Sequence, residues 1–228
     1  MMLKYFGKKH LKKGDMENII SFKNFFIRSD TYDKQIVNEV IKCYSWMQPK
    51  DEVVLDVGAC FGAYSVVASK QGAKEIHCYE PEINNFNLCL KNVSNYNNIK
   101  ANNTALVNDD RKEISFYLTK GINKGNFSTT AFRGRKEIKV KAENFDEVLN
   151  RIKPSTIKMD CEGSEYNLLT KPLPNFVKKI TLEIHLTKKD WRYNLAPNLI
   201  NMFSSWTNKV KPKVGDKNWH TLGAWYRD

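Results

Sequence analysis

Two short segments hold the residues that can do chemistry. The first is VVLDVGACFGAY, Val53 to Tyr64, and the second is IKMDCEGSEY, Ile157 to Tyr166. Each is an apolar run that delivers an acid into a glycine-containing turn. In the first, Asp56 precedes Gly58 and Gly62; in the second, Asp160, Glu162 and Glu165 surround Gly163. Acids crowded this closely repel one another unless a cation, a cationic ligand or hydrogen-bond donors offset them. A third run, ITLEIH, sets Glu183 and His185 two residues apart, and strand alternation turns both to one side. Asp160, Glu183 and His185 are therefore the expected catalytic group. They would act as a base or hold a divalent metal through oxygen and imidazole. The plainer reading makes His185 a structural residue bonded to a nearby carboxylate. For a metal, the expected ligands are Asp160, Glu162 and Glu183.

The elements around these residues say what they serve. After the Gly58–Gly62 turn comes a helical pattern, YSVVASKQG, and then a second apolar run, EIHCYEP, which ends in Glu80 and Pro81. Strand, glycine turn, helix, strand and acid in that order describe a nucleoside-cofactor site on a parallel sheet. The turn lacks G-x-G-x-x-G, and no G-x-x-x-x-G-K-[ST] occurs, so neither a pyrophosphate nor a P-loop nucleotide is indicated. A cofactor without phosphate, S-adenosylmethionine, suits the residues better. It needs an acid near its ammonium group, here Asp56, and an acid for its ribose, here Glu80. The bland alternative is a βα turn with packing glycines and two solvated acids.

Composition narrows the class. The chain of 228 residues is long enough for one α/β domain with a substantial core. No run approaches the roughly 18 apolar residues of a membrane span, and the basic start MMLKYFGKKHLKKGD has no long apolar core of a signal peptide. The five cysteines are scattered, with no C-x-x-C pair, and read as reduced thiols of a cytoplasmic protein. The net charge of +12 invites a nucleic-acid reading. Yet 7 of the 37 basic residues are Arg, the side chain best shaped for phosphate. Lys, Asn and Ile abound together, as AT-rich codons would dictate. Nucleic acid is the less favoured partner.

Periodicity lays out the rest. Residues 1–29 are basic and aromatic without a clear period, and Thr31–Met47 has apolar residues at helical spacing. Helices are expected near 64–71, 82–95, 144–152 and 164–170, the third capped by Asn144. Strands are expected at 53–57, 75–79, 99–106, 112–119, 136–140, 156–159 and 179–184, with a terminal strand in WHTLGAWYRD. The polar loop 119–136 between two alternating strands suits a lid or specificity loop, or an ordinary edge hairpin. The simplest organisation is a substrate-side helical extension, 1–50, on a domain at 51–228.

The chain resembles the FkbM family of S-adenosylmethionine-dependent methyltransferases. The resemblance rests on VVLDVGACFGAYS, YEPEINNFNLCLKNV, TALVNDDRKEISFY, ENFDEVL, IKMDCEGSEYNLL and ITLEIH, in family order over about 53–185. It implies a Rossmann-like class I methyltransferase fold: α/β, a mostly parallel seven-stranded sheet with helices on both faces and an antiparallel C-terminal strand. It also implies methylation of a hydroxyl on a glycan or small molecule. In motif terms Asp56, Gly58 and Gly62 match the cofactor loop, Glu80 the ribose acid, and Asp160 and Glu162 the family's D-x-E-G-x-E. The full cofactor set expected is Asp56, Gly58, Ala59, Gly62, Tyr64, Glu80, Pro81, Ala105 and Asp160. Cys60, Phe61 and Cys161 depart mildly from the pattern. The competing reading is an RNA ribose 2′-O-methyltransferase. Such enzymes use a Lys-Asp-Lys-Glu set, and spacing assigns no lysine pair beside Asp160 and Glu183.

Overall fold

The computed structural model describes residues 18–118, 127–128, 136–185, 194–213 and 220–228. The expected specificity loop lies almost wholly outside them. The described residues open with an antiparallel hairpin, β1 (Ile19–Phe22) and β2 (Phe25–Arg28), then α1 (Asp33–Cys43) and a single 3₁₀ turn at Ser45–Met47. The alternation follows: β3 (Val53–Val57), α2 (Ala63–Lys70), β4 (Glu75–Tyr79), α3 (Ile83–Val93) and β5 (Ile99–Asn102). Next come β6 (Ala105–Val107), β7 (Glu113–Leu118), β8 (Phe127–Ser128), β9 (Lys136–Asn144) and α4 (Phe145–Ile152). The last third holds β10 (Thr156–Met159), α5 (Glu165–Leu168), β11 (Lys179–His185), α6 (Ala196–Asn201), β12 (Thr207–Val210) and β13 (His220–Tyr226).

The main sheet has seven strands in the order β12-β13-β11-β10-β3-β4-β5. Neighbours from β11 to β5 run parallel, and β13 runs antiparallel to β11 and to β12. The expected class I architecture is what the chain builds. Central strands buried on both faces must carry apolar residues on alternate sides. In β3, Val54 packs into the cluster under α1–α3, while Leu55 and Val57 pack into the opposite cluster with Phe145, Leu149 and Trp225. In β10, Ile157 and Met159 join that opposite cluster, leaving Thr156, Lys158 and then Asp160 to the α1–α3 side. The opposite face is closed by α4 and α6. Asn144 caps α4, its Oδ1 accepting the amides of Asp146 and Glu147 at 2.9 and 3.2 Å. Phe203, just past α6, stacks on Trp225 of β13 with centroids 4.6 Å apart.

Two expectations change, and one strand had none. The strand expected over 99–106 is two strands in two sheets. Asn103 donates from Nδ2 to the carbonyls of Glu80 and Pro81, both at 2.9 Å, and pins the chain where it must turn. Ala105–Val107 then pairs in parallel with Ala142–Asn144 in a separate four-stranded sheet, β6-β9-β7-β8. The described residues before 50 form a hairpin as well as a helix. Its turn is Lys23-Asn24, both with positive φ (49° and 68°), where Asn-Gly would have been the readable signal. Phe25, Ile27, Val37, Val40, Tyr44 and Met47 from this region share one core with Val54, Phe61 and Leu88. Finally β12, mostly exposed and nearly without apolar residues, had no pattern to read.

Candidate active site

The carboxyl ends of β10, β3 and β4 form the rim where ligands bind on such sheets. Asp56, Glu80 and Asp160 come from these three neighbouring strand ends. Register places Asp56 of β3 directly opposite Lys158 of β10. Alternation puts both on the α1–α3 face, and Glu183 and His185 of β11 follow on the same face.

The glycine turn is tight and self-satisfied. Gly58 has φ +75°, and a Cβ there would lie 1.8 Å from the Asp160 carbonyl oxygen, so only glycine lets β3 and β10 exit side by side. Gly62 has φ +80°, and its bare face meets Cys89 Sγ and Val93 of α3. The amides of Gly58 and Ala59 donate to the Tyr79 carbonyl at 3.1 and 3.0 Å, and that of Gly62 donates to the Ala59 carbonyl at 2.7 Å. The amide of Cys60 donates to Glu80 at 2.9 Å. These four N–H groups are turned inward, so the turn offers no cradle of theirs for a phosphate.

The expected cofactor residues divide. Glu80 is buried, accepts the amides of Cys60 and Glu82, and is pushed by burial to a pKa of about 8. Pro81 sits beside it, its carbonyl held by Asn103. Asp56 is fully buried: Oδ2 accepts from Ser65 at 2.7 Å and Oδ1 lies 3.4 Å from the Lys158 ammonium. It is thus occupied inside the protein. Tyr64 points into the core, where its hydroxyl reaches Met47 Sδ at 3.2 Å. Ala105 packs in the core of the small sheet.

Asp160, Glu183 and His185 do converge, with one potential ligand atom from each lying within 4.8 Å of the others. His185 Nε2 lies 3.3 Å from Glu162 and 3.7 Å from Glu183, while Nδ1 faces Glu165 at 3.1 Å. Burial alone would lower the His185 pKa; the Glu165 carboxylate, followed by Glu162, outweighs it and holds the imidazole well above its ordinary value. Burial pushes Asp160 up, against the pull of Lys158, and pushes Glu183 well up. Burial also pushes the Tyr44 phenol, at the end of α1, well up, with Asp160 and Glu183 adding to it.

Sequence reasoning gave two members no role in the site. Glu165 is fully buried beneath His185, and Lys158 is the only lysine among the described residues to be buried. Lys158 was legible in principle. In a strand buried on both faces, a lysine two residues before an acid points the same way and must find a charge partner.

The Methyltransferase FkbM domain model matches residues 56–210. An FkbM methyltransferase from Methylobacillus flagellatus aligns at 18% identity and TM-score 0.45, covering 77% of this chain and 43% of that one. This chain therefore spans less than half the length of that relative. TrmK from M. capricolum, solved with S-adenosyl-homocysteine, aligns at 12% identity and TM-score 0.47, covering 84% and 67%. A putative RNA methyltransferase from Pyrococcus horikoshii aligns at 13% identity and TM-score 0.42, covering 83% and 80%. No curated protein matches the chain. With its family model spanning most of the chain, from the acid of the glycine turn to β12, the chain belongs to the FkbM family of S-adenosylmethionine-dependent methyltransferases.

Proposed function

We propose that this chain moves a methyl group from S-adenosylmethionine to a hydroxyl of a glycan or small-molecule acceptor. The observation that carries the reading is the convergence of Asp160, Glu183 and His185 on the rim beside the Gly58 turn. The residues fit the cofactor by their chemistry. The turn spends its amides internally and offers no phosphate cradle, whereas carboxylates at the rim suit a ribose and a cationic amino acid part. Glu80 would take the ribose hydroxyls. Because Asp56 is occupied by Lys158, Asp160 is the acid for the cofactor's ammonium end. When bound, the cofactor supplies an electrophilic methyl on a sulfonium.

The protein's part is positioning and proton removal. An alcohol is too weak an acid to ionise beforehand at neutral pH, so its proton must pass to a base as the methyl is transferred. Asp160, pushed up by burial against the pull of Lys158 and partly open to the site, is suited to accept it, with Glu183 beside it. His185, whose pKa Glu165 holds well above its ordinary value, lies against Glu183 and Glu162 and helps to fix their position. The acidic rim disfavours a polyanionic acceptor and supports a sugar or neutral hydroxyl over RNA. Binding to RNA should be weak, sequence-blind and lost with added salt. A second reading follows from the same cluster: a divalent ion held by Asp160 and Glu183, with His185 or Glu162 as a further ligand. The five free cysteines suit a reducing cytoplasm, and among the described residues no helix is long and apolar enough to cross a membrane.

The test is an acceptor screen read by release of the demethylated cofactor, beginning with glycans and nucleosides. Turnover on a glycan or small-molecule hydroxyl is expected. Turnover confined to RNA, with tight cap-dependent binding at physiological salt, would transfer the assignment to ribose methylation.

A further inference from the structure

One buried charge is unused by the chemistry above. The ammonium of Lys158 touches three parts of the site at once. It donates to the Gly58 carbonyl at 2.8 Å, lies 3.4 Å from Asp56 Oδ1 and lies 3.8 Å from Asp160 Oδ2. Asp56 Oδ1 is buried with no hydrogen-bond partner, so its nearest answer is this ammonium. Burial pulls the ammonium down, but Asp56 and Asp160 outweigh it and hold Lys158 above its ordinary range.

We propose that Lys158 is a positioning residue that fixes the Asp160 carboxylate relative to the Gly58 turn. The inference rests on the methyl-transfer reading, which it deepens. Three structural facts support it. The three acceptors belong to the end of β3, the turn and the end of β10, so a single cation ties the cofactor-side loop to the rim acid. Lys158 lies in β10 and Asp160 follows directly at its end, two residues on, which sets the ammonium to the same side as the carboxylate. And Asp56, fully buried, anchors the cation from behind, so Lys158 cannot swing to solvent without leaving a carboxylate bare in the core. Asp160 itself keeps its side chain partly open to the site. Its free oxygen can then face the acceptor while the other is held. Displacement of a catalytic group by about 1 Å is enough to cost a large factor in rate, so this tie should govern turnover more than affinity.

Two variants separate positioning from simple charge balance. Lys158→Met alone leaves Asp56 unpaired and should melt well below the native protein. Asp56→Asn with Lys158→Met removes the buried pair as a unit and should recover most of that melting temperature. With the best acceptor from the screen, the double variant should still turn over about tenfold or more slowly, with the acceptor KM nearly unchanged. A double variant that regains native turnover together with stability overturns the proposal, because Lys158 would then only neutralise Asp56. If neither variant folds, the native protein decides. Its Lys158 side-chain nitrogen resonance should shift when S-adenosylhomocysteine binds, and a resonance indifferent to that ligand overturns the proposal. The resonance also separates two failures: a native protein that methylates no acceptor sinks the functional reading, while this measurement still judges Lys158.

Discussion

Glu165 Oε1 accepts the backbone N–H of His185 at 2.7 Å and faces the same residue's Nδ1 at 3.1 Å. The other oxygen accepts the Gly163 amide at 2.8 Å. One fully buried carboxylate therefore fixes the turn after β10, the end of β11 and the orientation of the imidazole together. Burial opposes its charge, yet the opposing His185 keeps its pKa below the usual value.

Replacing Glu165 by Gln keeps an acceptor for the His185 amide but removes the charge that holds the ring. Breaking one side of a buried ion pair costs about 3–5 kcal/mol, and the retained hydrogen bond should place this variant at the lower end. Denaturant unfolding measures it. A variant as stable as the native protein would mean that His185 is not protonated in the folded state.

Asp160→Asn preserves shape and removes the charge at the rim. It should fold and lose roughly 10²-fold or more in turnover if Asp160 accepts the proton or holds a metal. Chelator treatment of the native enzyme then divides the two versions. Activity lost and restored by a divalent ion supports the metal, and indifference supports direct proton transfer. Turnover near the native rate would move the catalytic centre elsewhere.

Glu80 predicts a pH dependence of stability. Burial raises its pKa to about 8, whereas in the unfolded chain it titrates near 4.3. Between these values the folded state keeps a proton that the unfolded state has released. Stability is thus fully present at low pH and declines as pH rises toward 8, by up to about 1.4 kcal/mol per pH unit from this group. Melting of the cofactor-free protein across pH 5 to 8 should show this decline. Glu80→Gln should flatten it, and should also weaken cofactor binding by about 1–3 kcal/mol through loss of the ribose contacts proposed above.

Gly58→Ala is expected to be severe. The left-handed conformation alone costs an alanine about 1–2 kcal/mol, and its Cβ would overlap the Asp160 carbonyl, a backbone atom with no rotamer to escape into. Denaturant unfolding should register a loss beyond that strain, and S-adenosylhomocysteine affinity should fall as the turn is displaced.

Much of the frame was legible because its signals were local. The βαβ order around Asp56 and Glu80, the Asn144 cap and the alternation of Glu183 with His185 need only neighbouring residues to read. What escaped depends on distant partners. Tyr64 has a cofactor-loop address, but helix α2 turns it toward Met47, so its ring serves the core. Asp56 has the place of a ligand acid, yet Lys158 lies 102 residues further along the chain and reaches it only through the β3–β10 register. The break at Asn103 depends on two carbonyls beyond β4, which no period along the chain encodes.

Asn92 of α3 holds the hairpin and the Gly58–Gly62 turn with one amide group. Its Oδ1 accepts the Phe26 N–H at 2.7 Å, while its Nδ2 donates to the carbonyls of Phe26 at 3.0 Å and Phe61 at 2.9 Å. The opening segment is thereby no detachable module. A relative's N-terminal segment grafted here to change the acceptor would have to present the same extended backbone to Asn92. Otherwise the exchange would be felt at Phe61, inside the turn where the cofactor is proposed to bind, before any new acceptor was met.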